Sequence, residues 1–172
     1  MAEIKSTTMA DILERNTDID HLYHDAFLSH QRIAGEGDIN GTDSRDLIVG
    51  SDWNDKIWGG YGDDDIYGGK GGDVIWAGGG NDLIWGGGGK NIFVFEEYSG
   101  YDTIYEFSKK YDKLDLTALG IDSWRDVKKI SEKTSDGLVL HVDDHSTITL
   151  VGVKSLSKKN FIFDDDHDYG LV

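Results

Sequence analysis

The sequence lacks cysteine and proline, and no apolar run approaches the eighteen residues that a membrane-spanning helix needs. Without cysteine there are no disulfides, so an extracellular protein of this kind would have to draw its stability from bound metal. Without proline, refolding has no slow cis/trans step. Residues 1–8 also lack the apolar core of a signal peptide, so we expect any export to use another signal.

Basic residues are scarce. The 172 residues contain 17 Lys and Arg against 33 Asp and Glu, which gives a formal net charge of −16. This balance argues against nucleic acid and anionic membranes as partners, and it favours the binding of cations.

Glycine is abundant, with 23 residues, and much of it lies in a nine-residue repeat that runs from Gly41 to Val94. Six consecutive units fit the template G-G-x-G-x-D-x-U-x, in which U is a large apolar residue. The units read GTDSRDLIV, GSDWNDKIW, GGYGDDDIY, GGKGGDVIW, AGGGNDLIW and GGGGKNIFV. A disordered Gly/Asp-rich linker would not repeat apolar residues every nine positions. A phosphate-binding glycine loop is also disfavoured, because the GGGGK sequence is followed by Asn91 rather than Ser or Thr.

Each unit divides into a glycine-rich turn, positions one to six, and a three-residue strand. Alternation along the strand points position eight inward and positions seven and nine outward. Position eight is occupied by Ile48, Ile57, Ile66, Ile75, Ile84 and Phe93. Three-residue strands are not stable alone, so the units must wind into a coil in which each unit stacks on the next but one. The fold predicted is mainly β: a parallel β-roll with an antiparallel, β-rich C-terminal cap and a short N-terminal helical segment.

This stacking places position-six carboxylates about 5 Å apart, where they repel unless a cation lies between them. Carboxylates and turn carbonyls form an all-oxygen set, which suits Ca²⁺ better than zinc. We therefore predict about three to five calcium ions, with the strongest sites at Asp64, Asp73 and Asp82. The predicted ligands are Asp43, Asp46, Asp52, Asp55, Gly60, Gly62, Asp64, Gly69, Gly71, Asp73, Gly78, Gly80, Asp82, Gly87, Gly89 and Asn91, with Asp102, Asp112 and Asp115 as a further site after the repeats.

The flanking segments give a four-part division: 1–32 helical, 33–94 the roll, 95–163 the cap, and 164–172 an acidic tail. Residues 33–40 resemble a degenerate entry turn to the roll. In the cap we expect several short strands, and one helix from Ser123 to Lys133 capped by Ser123. The N-terminal His21, His24 and His30 suggest a transition-metal site, but residues of this kind on a polar helical face are usually just solvated.

Aromatic residues recur at position nine, at Trp58, Tyr67, Trp76 and Trp85, and the alternation places them on the outside of the roll. Such stacked rings could form a platform for sugar rings. We expect the face that carries Trp58 and Trp76 to be covered, because it is too apolar to face water, and Tyr67 and Trp85 to be the exposed pair. No arrangement of nucleophile, histidine and acid indicates an enzyme.

The repeats resemble the RTX (repeats-in-toxin) family. Within it, the opening GTD and GSD units, the D-x-I-x-x-F segment at Asp102 and the D-K-x-D-L segment at Asp112 are similar to the R-modules of secreted mannuronan epimerases. The resemblance implies a calcium-bound β-roll, secretion through a type I channel, folding outside the cell, and an alginate-like acidic polysaccharide as a partner. It also implies a C-terminal secretion signal, to which residues 168–172 look similar.

Overall fold

The structure is a computed structural model that describes residues 31–163. Most of the predicted helical segment 1–32, its histidines and the C-terminal secretion signal lie outside these residues. The end of that prediction is wrong, because Gln31 and Arg32 begin a strand. In the part of the chain that is described, no helix is long and apolar enough to cross a membrane.

The described residues form short strands joined by turns, with one α-helix (α1, Trp124–Ile130) and two 3₁₀ turns (Thr117–Leu119 and Lys158–Asn160). The strands are β1 Gln31–Ala34, β2 Asp38–Asn40, β3 Asp46–Val49, β4 Lys56–Trp58, β5 Asp65–Tyr67, β6 Val74–Trp76, β7 Leu83–Trp85, β8 Ile92–Val94, β9 Tyr101–Tyr105, β10 Lys113–Asp115, β11 Ser131–Lys133, β12 Gly137–His141, β13 Thr147–Val151 and β14 Phe161–Ile162.

Strands β1 to β10 alternate between two sheets, which is the winding that the repeat predicts. One sheet has the order β1-β3-β5-β7-β9-β13-β12-β11, and the other has the order β14-β10-β8-β6-β4-β2. Within the repeats, each strand pairs in parallel with the strand eighteen residues later; Ile57, for example, lies opposite Ile75. The prediction of a parallel β-roll is confirmed.

The interior of the roll is a column of apolar side chains from position eight. Every position-eight residue of the six units is at most 1% exposed. The column continues beyond the repeats through Ile104, Leu114, Leu150 and Phe161. These aliphatic and aromatic contacts between neighbouring turns supply the hydrophobic stabilisation of the coil.

The coil extends past both ends of the sequence repeat. Before it, Ile39 of β2 is buried beside Ile57 in the eighteen-residue register, so residues 33–40 do include an entry unit. After it, β9 and β10 add two more parallel strands, but their spacing grows: Leu83 pairs with Thr103 and Ile92 pairs with Lys113. The period of nine stops at Val94, whereas the winding does not.

The antiparallel part of the cap is the β13-β12-β11 extension of one sheet. Ser123 caps α1 as predicted, accepting a hydrogen bond from the Asp126 N–H at 3.3 Å. The prediction that this helix reaches Lys133 is wrong, because Ser131–Lys133 forms β11 and pairs with β12. Pairing with a neighbouring strand here outweighs the local preference for helix.

We expect Leu150→Ala to lower the free energy of unfolding by about 2–5 kcal/mol, because it removes buried methyl groups from the column where it enters the cap. Thr149→Ala, on the outward face of the same strand, is the control and should cost less than about 1 kcal/mol. Chemical denaturation at saturating calcium measures both. Equal effects in the two variants would contradict a continuous column.

Candidate metal centre

The position-six residues form two ladders, one along each edge of the roll. From Asp55 onward, each side chain accepts, through Oδ1, a hydrogen bond from the main-chain N–H of the residue at the same position one coil turn earlier. Asp46 begins its ladder, and its Oδ1 has no partner among the described residues. In one ladder the N–H groups of Asp46, Asp64 and Asp82 donate to Asp64, Asp82 and Asp102 at 2.8, 2.8 and 3.0 Å. In the other ladder the corresponding donors and acceptors are Gly37 to Asp55, Asp55 to Asp73, Asp73 to Asn91 and Asn91 to Asp112.

These ladders bring together the predicted carboxylates and bury them almost completely. The position-six side chains of both ladders, with Asp102 and Asp112, are at most 3% exposed. Because a coil turn contributes one carboxylate to each edge, no three His, Cys, Asp or Glu side chains in the described residues converge on one point. A cation at either edge must therefore take main-chain oxygens as well as carboxylates.

The second carboxylate oxygen separates the units into two kinds. In the first two units, Oδ2 of Asp46 and of Asp55 accepts from the main-chain N–H of Thr42 and Ser51, at 2.6 and 2.7 Å, and from their hydroxyl groups. In the next three units, the buried Oδ2 atom has no hydrogen-bond partner; these atoms belong to Asp64, Asp73 and Asp82. A buried carboxylate oxygen without a donor is costly and needs a compensating positive charge.

The residue at position two explains this difference. Thr42 and Ser51 have ordinary negative φ, and their N–H groups reach the carboxylate of their own turn. From the third unit onward position two is glycine at positive φ; at Gly78, for example, φ is 96°. A side chain is excluded there, because a Cβ on Gly78 would lie 2.1 Å from the carbonyl oxygen of Gly60.

All eight glycines predicted as ligands have positive φ. They are Gly60, Gly62, Gly69, Gly71, Gly78, Gly80, Gly87 and Gly89. Main-chain carbonyls of one coil turn therefore pack directly against the glycine backbone of the next. Main-chain carbonyls and buried carboxylates together form the all-oxygen donor set that Ca²⁺ prefers.

Burial changes the acidity of the ladder carboxyls. Desolvation raises the pKa of Asp64 and of Asp73 to about 7, and that of Asp82 to about 8. Neighbouring carboxylates of the ladder add to the increase. The pKa of Asp102 also rises to about 7, and that of Asp112 is raised, in both cases mainly by burial. The metal-free edges thus disfavour the negative charge that a cation would stabilise.

Three predicted residues, Asp43, Asp52 and Asp115, lie outside the two ladders. Asp43 and Asp52 are exposed, and Asp52 forms an ion pair with Lys70 at 2.8 Å. Asp102 and Asp112 top opposite ladders, while Asp115 accepts hydrogen bonds from Thr117. The prediction that Asp102, Asp112 and Asp115 form one further site is therefore wrong. Asp102 lies on β9 in one sheet, whereas Asp112 directly precedes β10 in the other sheet and Asp115 ends that strand.

The sequence did not single out Ser99, whose buried hydroxyl has no hydrogen bond of ordinary geometry. It lies after the period of nine has ended, so the repeat gives no register for it. The hydrogen bonds from Thr42 and Ser51 to the carboxylates of their own turns could have been predicted from the sequence, because both residues replace glycine at position two.

The position-nine aromatic rings stack in register. Ring centroids are 4.6 Å apart between Trp58 and Trp76, between Tyr67 and Trp85, and between Trp85 and Tyr105. The expectation that Tyr67 is exposed is wrong: it is 8% exposed, because it lies mid-sheet with Trp85 against one face of its ring. Trp85 is half-buried, and so are Trp58 and Trp76 on the other sheet, where the outward Val74 and Val94 are buried.

Comparisons with known proteins address the ladder-bearing segment and the whole fold. Residues 40–75 and 65–93 match the RTX calcium-binding nonapeptide repeat, in four copies. No curated protein sequence is significantly similar to the chain. The fold is similar to two solution structures, the AlgE6R3 and AlgE6R2 subunits from the Azotobacter vinelandii mannuronan C5-epimerase, each 26% identical, with TM-scores of 0.61 and 0.55.

Both alignments cover 77% of this chain, and they cover 87% and 92% of the two subunits. The similarity therefore extends well beyond the repeats into the cap. The repeat sequence, the β-roll and the paired ladders of buried carboxylates agree with one another: residues 40–93 carry RTX calcium-binding nonapeptide repeats, and the fold is similar to that of two subunits of a mannuronan C5-epimerase.

Proposed function

We propose that this module is a calcium-dependent folding unit, disordered where calcium is scarce and folded where calcium is abundant. The observation that carries the proposal is the set of buried Oδ2 atoms without partners at Asp64, Asp73 and Asp82. The ions would be held by these carboxylates, one from each coil turn, and by the carbonyls of the glycine turns. Calcium supplies the positive charge that the protein does not place there.

Without the metal, few interactions offset the free-energy cost of folding the roll. Glycine-rich turns lose much conformational entropy on folding, and deprotonated ladder carboxylates repel one another. A site whose free calcium is a hundredfold above its dissociation constant stabilises the fold by about 2.7 kcal/mol. Three to five such sites would together contribute about 8–14 kcal/mol, which is comparable to the whole stability of an ordinary domain.

A switch of this kind suits a protein exported unfolded from a calcium-poor cytoplasm through a type I channel and folded outside. The absence of disulfides and the relationship to epimerase R-modules support this placement. The role we propose is non-catalytic, as a stabilising or binding module, because the buried carboxylates of the roll are committed to calcium.

We expect the chelated protein at pH 8 to give a disordered far-UV circular dichroism spectrum, and excess calcium to restore β structure. Gly78→Ala should raise the calcium concentration at the folding midpoint at least about tenfold, because the new methyl group meets the Gly60 carbonyl. Gly120→Ala is the control. It has φ of 68° but no atom within 4 Å of the added Cβ, so it carries only the backbone strain. A spectrum unchanged by chelation would refute the proposal.

A second expectation concerns pH. The folded-state pKa values of Asp64 and Asp82 exceed the ordinary value of 3.8, so the metal-free fold holds protons that the unfolded chain has lost. The stability of the metal-free fold is therefore greatest near pH 4 and falls as pH rises through 7 to 8. In excess chelator, β structure should increase on acidification from pH 8 to pH 5.

The double variant Asp64→Asn/Asp82→Asn removes two of these titrating groups and should show a smaller increase with acid. Circular dichroism measures both proteins across the same pH range. Loss of β structure on acidification of the chelated wild type would contradict the expected sign.

A second candidate function is binding of an acidic polysaccharide. The specific observation is a depression lined by Lys109, Lys110 and Lys159 together with Ser155 and Ser157. All three lysines are exposed in a protein with a net charge of −16, and the described residues place no carboxylate within 4.0 Å of them. Asn160 secures this loop by donating to the carbonyls of Lys109 and Asp112.

This depression differs from the aromatic platform predicted at Trp58, Tyr67, Trp76 and Trp85. Close stacking covers ring faces that a sugar would need, and Tyr67 is buried. The lysines instead offer charge for the carboxylates of a uronic acid polymer. Both similar subunits come from an enzyme named for mannuronan, which supports a polymer of this class as the ligand.

We expect the Lys109→Glu/Lys110→Glu/Lys159→Glu variant to bind mannuronan oligosaccharide at least about tenfold more weakly than wild type, because attraction becomes repulsion. The matched control reverses three exposed cations on and beside α1, Arg125, Lys128 and Lys133. Calorimetry at saturating calcium measures affinity, and rising salt should weaken it. Equal affinity in wild type and the first variant would remove this candidate.

A further inference from the structure

The turn from Tyr98 to Asp102 lies outside the nine-residue repeats, and its sequence, YSGYD, does not fit their template. It connects to β9, which stacks on β7 with a spacing of twenty residues instead of eighteen. The register places Asp102 above Asp82, Gly100 above Gly80 and Tyr98 above Gly78.

The backbone of this turn nevertheless follows the consensus turn beneath it. Gly100 has φ of 89° where Gly80 has 139°, and Tyr98 has φ of 66° where Gly78 has 96°. Positive φ is unusual for a residue with a side chain, so Tyr98 adopts at a cost the conformation that the repeats obtain with glycine.

One main-chain hydrogen bond of the repeat stack is reproduced as well. The Gly80 N–H donates to the Ser99 carbonyl at 3.1 Å, as the Gly62 N–H donates to the Gly79 carbonyl at 2.8 Å one coil turn earlier. The YSGYD turn is thus stacked on the preceding turn in the manner of a repeat unit, although the sequence period has ended.

The side chains leave the same unsatisfied oxygens. Asp102 Oδ1 accepts from the Asp82 N–H at 3.0 Å, while Asp102 Oδ2 and Asp82 Oδ2 have no hydrogen-bond partner. The hydroxyl of Ser99 is a third buried oxygen without a hydrogen bond of ordinary geometry, and it lies near enough to Asp102 to lower the pKa of that carboxyl. Asp102 and Ser99 are each 1% exposed, so bulk solvent does not reach them.

We propose that the turns ending at Asp82 and Asp102 enclose an additional calcium site beyond the repeats, with the two carboxylates and the Ser99 hydroxyl among its ligands. The inference rests on the proposed calcium function and adds a site that the nonapeptide pattern does not contain. A hydroxyl is a neutral oxygen donor, and such donors occur alongside carboxylates in calcium sites.

The opposite edge ends differently and supplies a control. There the last ladder residue, Asp112, accepts from the Asn91 N–H at 2.9 Å through Oδ1 and from the Ser108 N–H at 2.7 Å through Oδ2. Both oxygens are satisfied by the protein, in the same way as those of Asp55. That edge closes without an unpartnered carboxylate oxygen at its last turn.

The test compares Asp102→Asn with Asp112→Asn by native mass spectrometry at saturating calcium, with circular dichroism to confirm folding. Asp102→Asn keeps the acceptor for the Asp82 N–H and replaces the unpartnered oxygen with an NH₂ group. We expect it to bind one calcium ion fewer than wild type, whereas Asp112→Asn binds the wild-type number. An unchanged number in Asp102→Asn, or the same loss in both variants, would overturn the inference.

Ser99→Ala provides an independent arm, and it carries the test if Asp102→Asn does not fold. It retains every carboxylate, so we expect the wild-type number of ions with the weakest calcium-binding step shifted at least about threefold to higher concentration. An unchanged isotherm would exclude Ser99 as a ligand. If wild type itself binds no calcium, the proposed function fails; if it binds calcium and Asp102→Asn binds as many ions, only the additional site fails.

Discussion

Each turn of the roll places a carboxyl group in the protein interior directly above that of an earlier turn. Hydrogen bonds to the main chain satisfy one oxygen of each group and fix the spacing, but Asp64, Asp73 and Asp82 retain a second, buried oxygen without a donor. Glycine turns and three-residue strands contribute too little free energy of folding to offset the cost of burying these oxygens without a donor. The coil, its register and its dependence on metal all follow from these stacked groups.

The repeating part of the fold could be predicted because one period determines both sheets. An apolar residue every nine positions gives the winding, the eighteen-residue register and the buried column from Ile48 to Phe93. The continuation through β9 and β10 could not be predicted, because insertions in the turns change the spacing while the strands still stack. Likewise, β11 is defined by its pairing with β12, a contact between distant parts of the chain that local propensity does not encode.

At the metal centre the sequence indicated which residues come together, but not which oxygens lack partners. That distinction depends on position two, where Thr42 and Ser51 donate to their own carboxylates and glycine at positive φ does not. The same distinction holds after the repeats. Tyr98 has the positive φ of the repeat glycines, whereas the Ser108 N–H donates to Asp112 as the Thr42 and Ser51 N–H groups donate to their carboxylates. The backbone conformation at position two, rather than agreement with a consensus, determines whether the second carboxylate oxygen has a hydrogen-bond donor.

The hydrogen bonds of both ladders run in one direction: the main-chain donor is always earlier in the chain than the side-chain acceptor. The roll is therefore a polar stack, with chemically different ends. At its C-terminal end the amides of Asp82 and Asn91 require acceptors from the next turn, which Asp102 and Asp112 supply. A roll cut after Val94 would leave these two amides unpaired, so the coil needs a specific terminator at that end, and the length of the repeat array is tied to the segment that follows it.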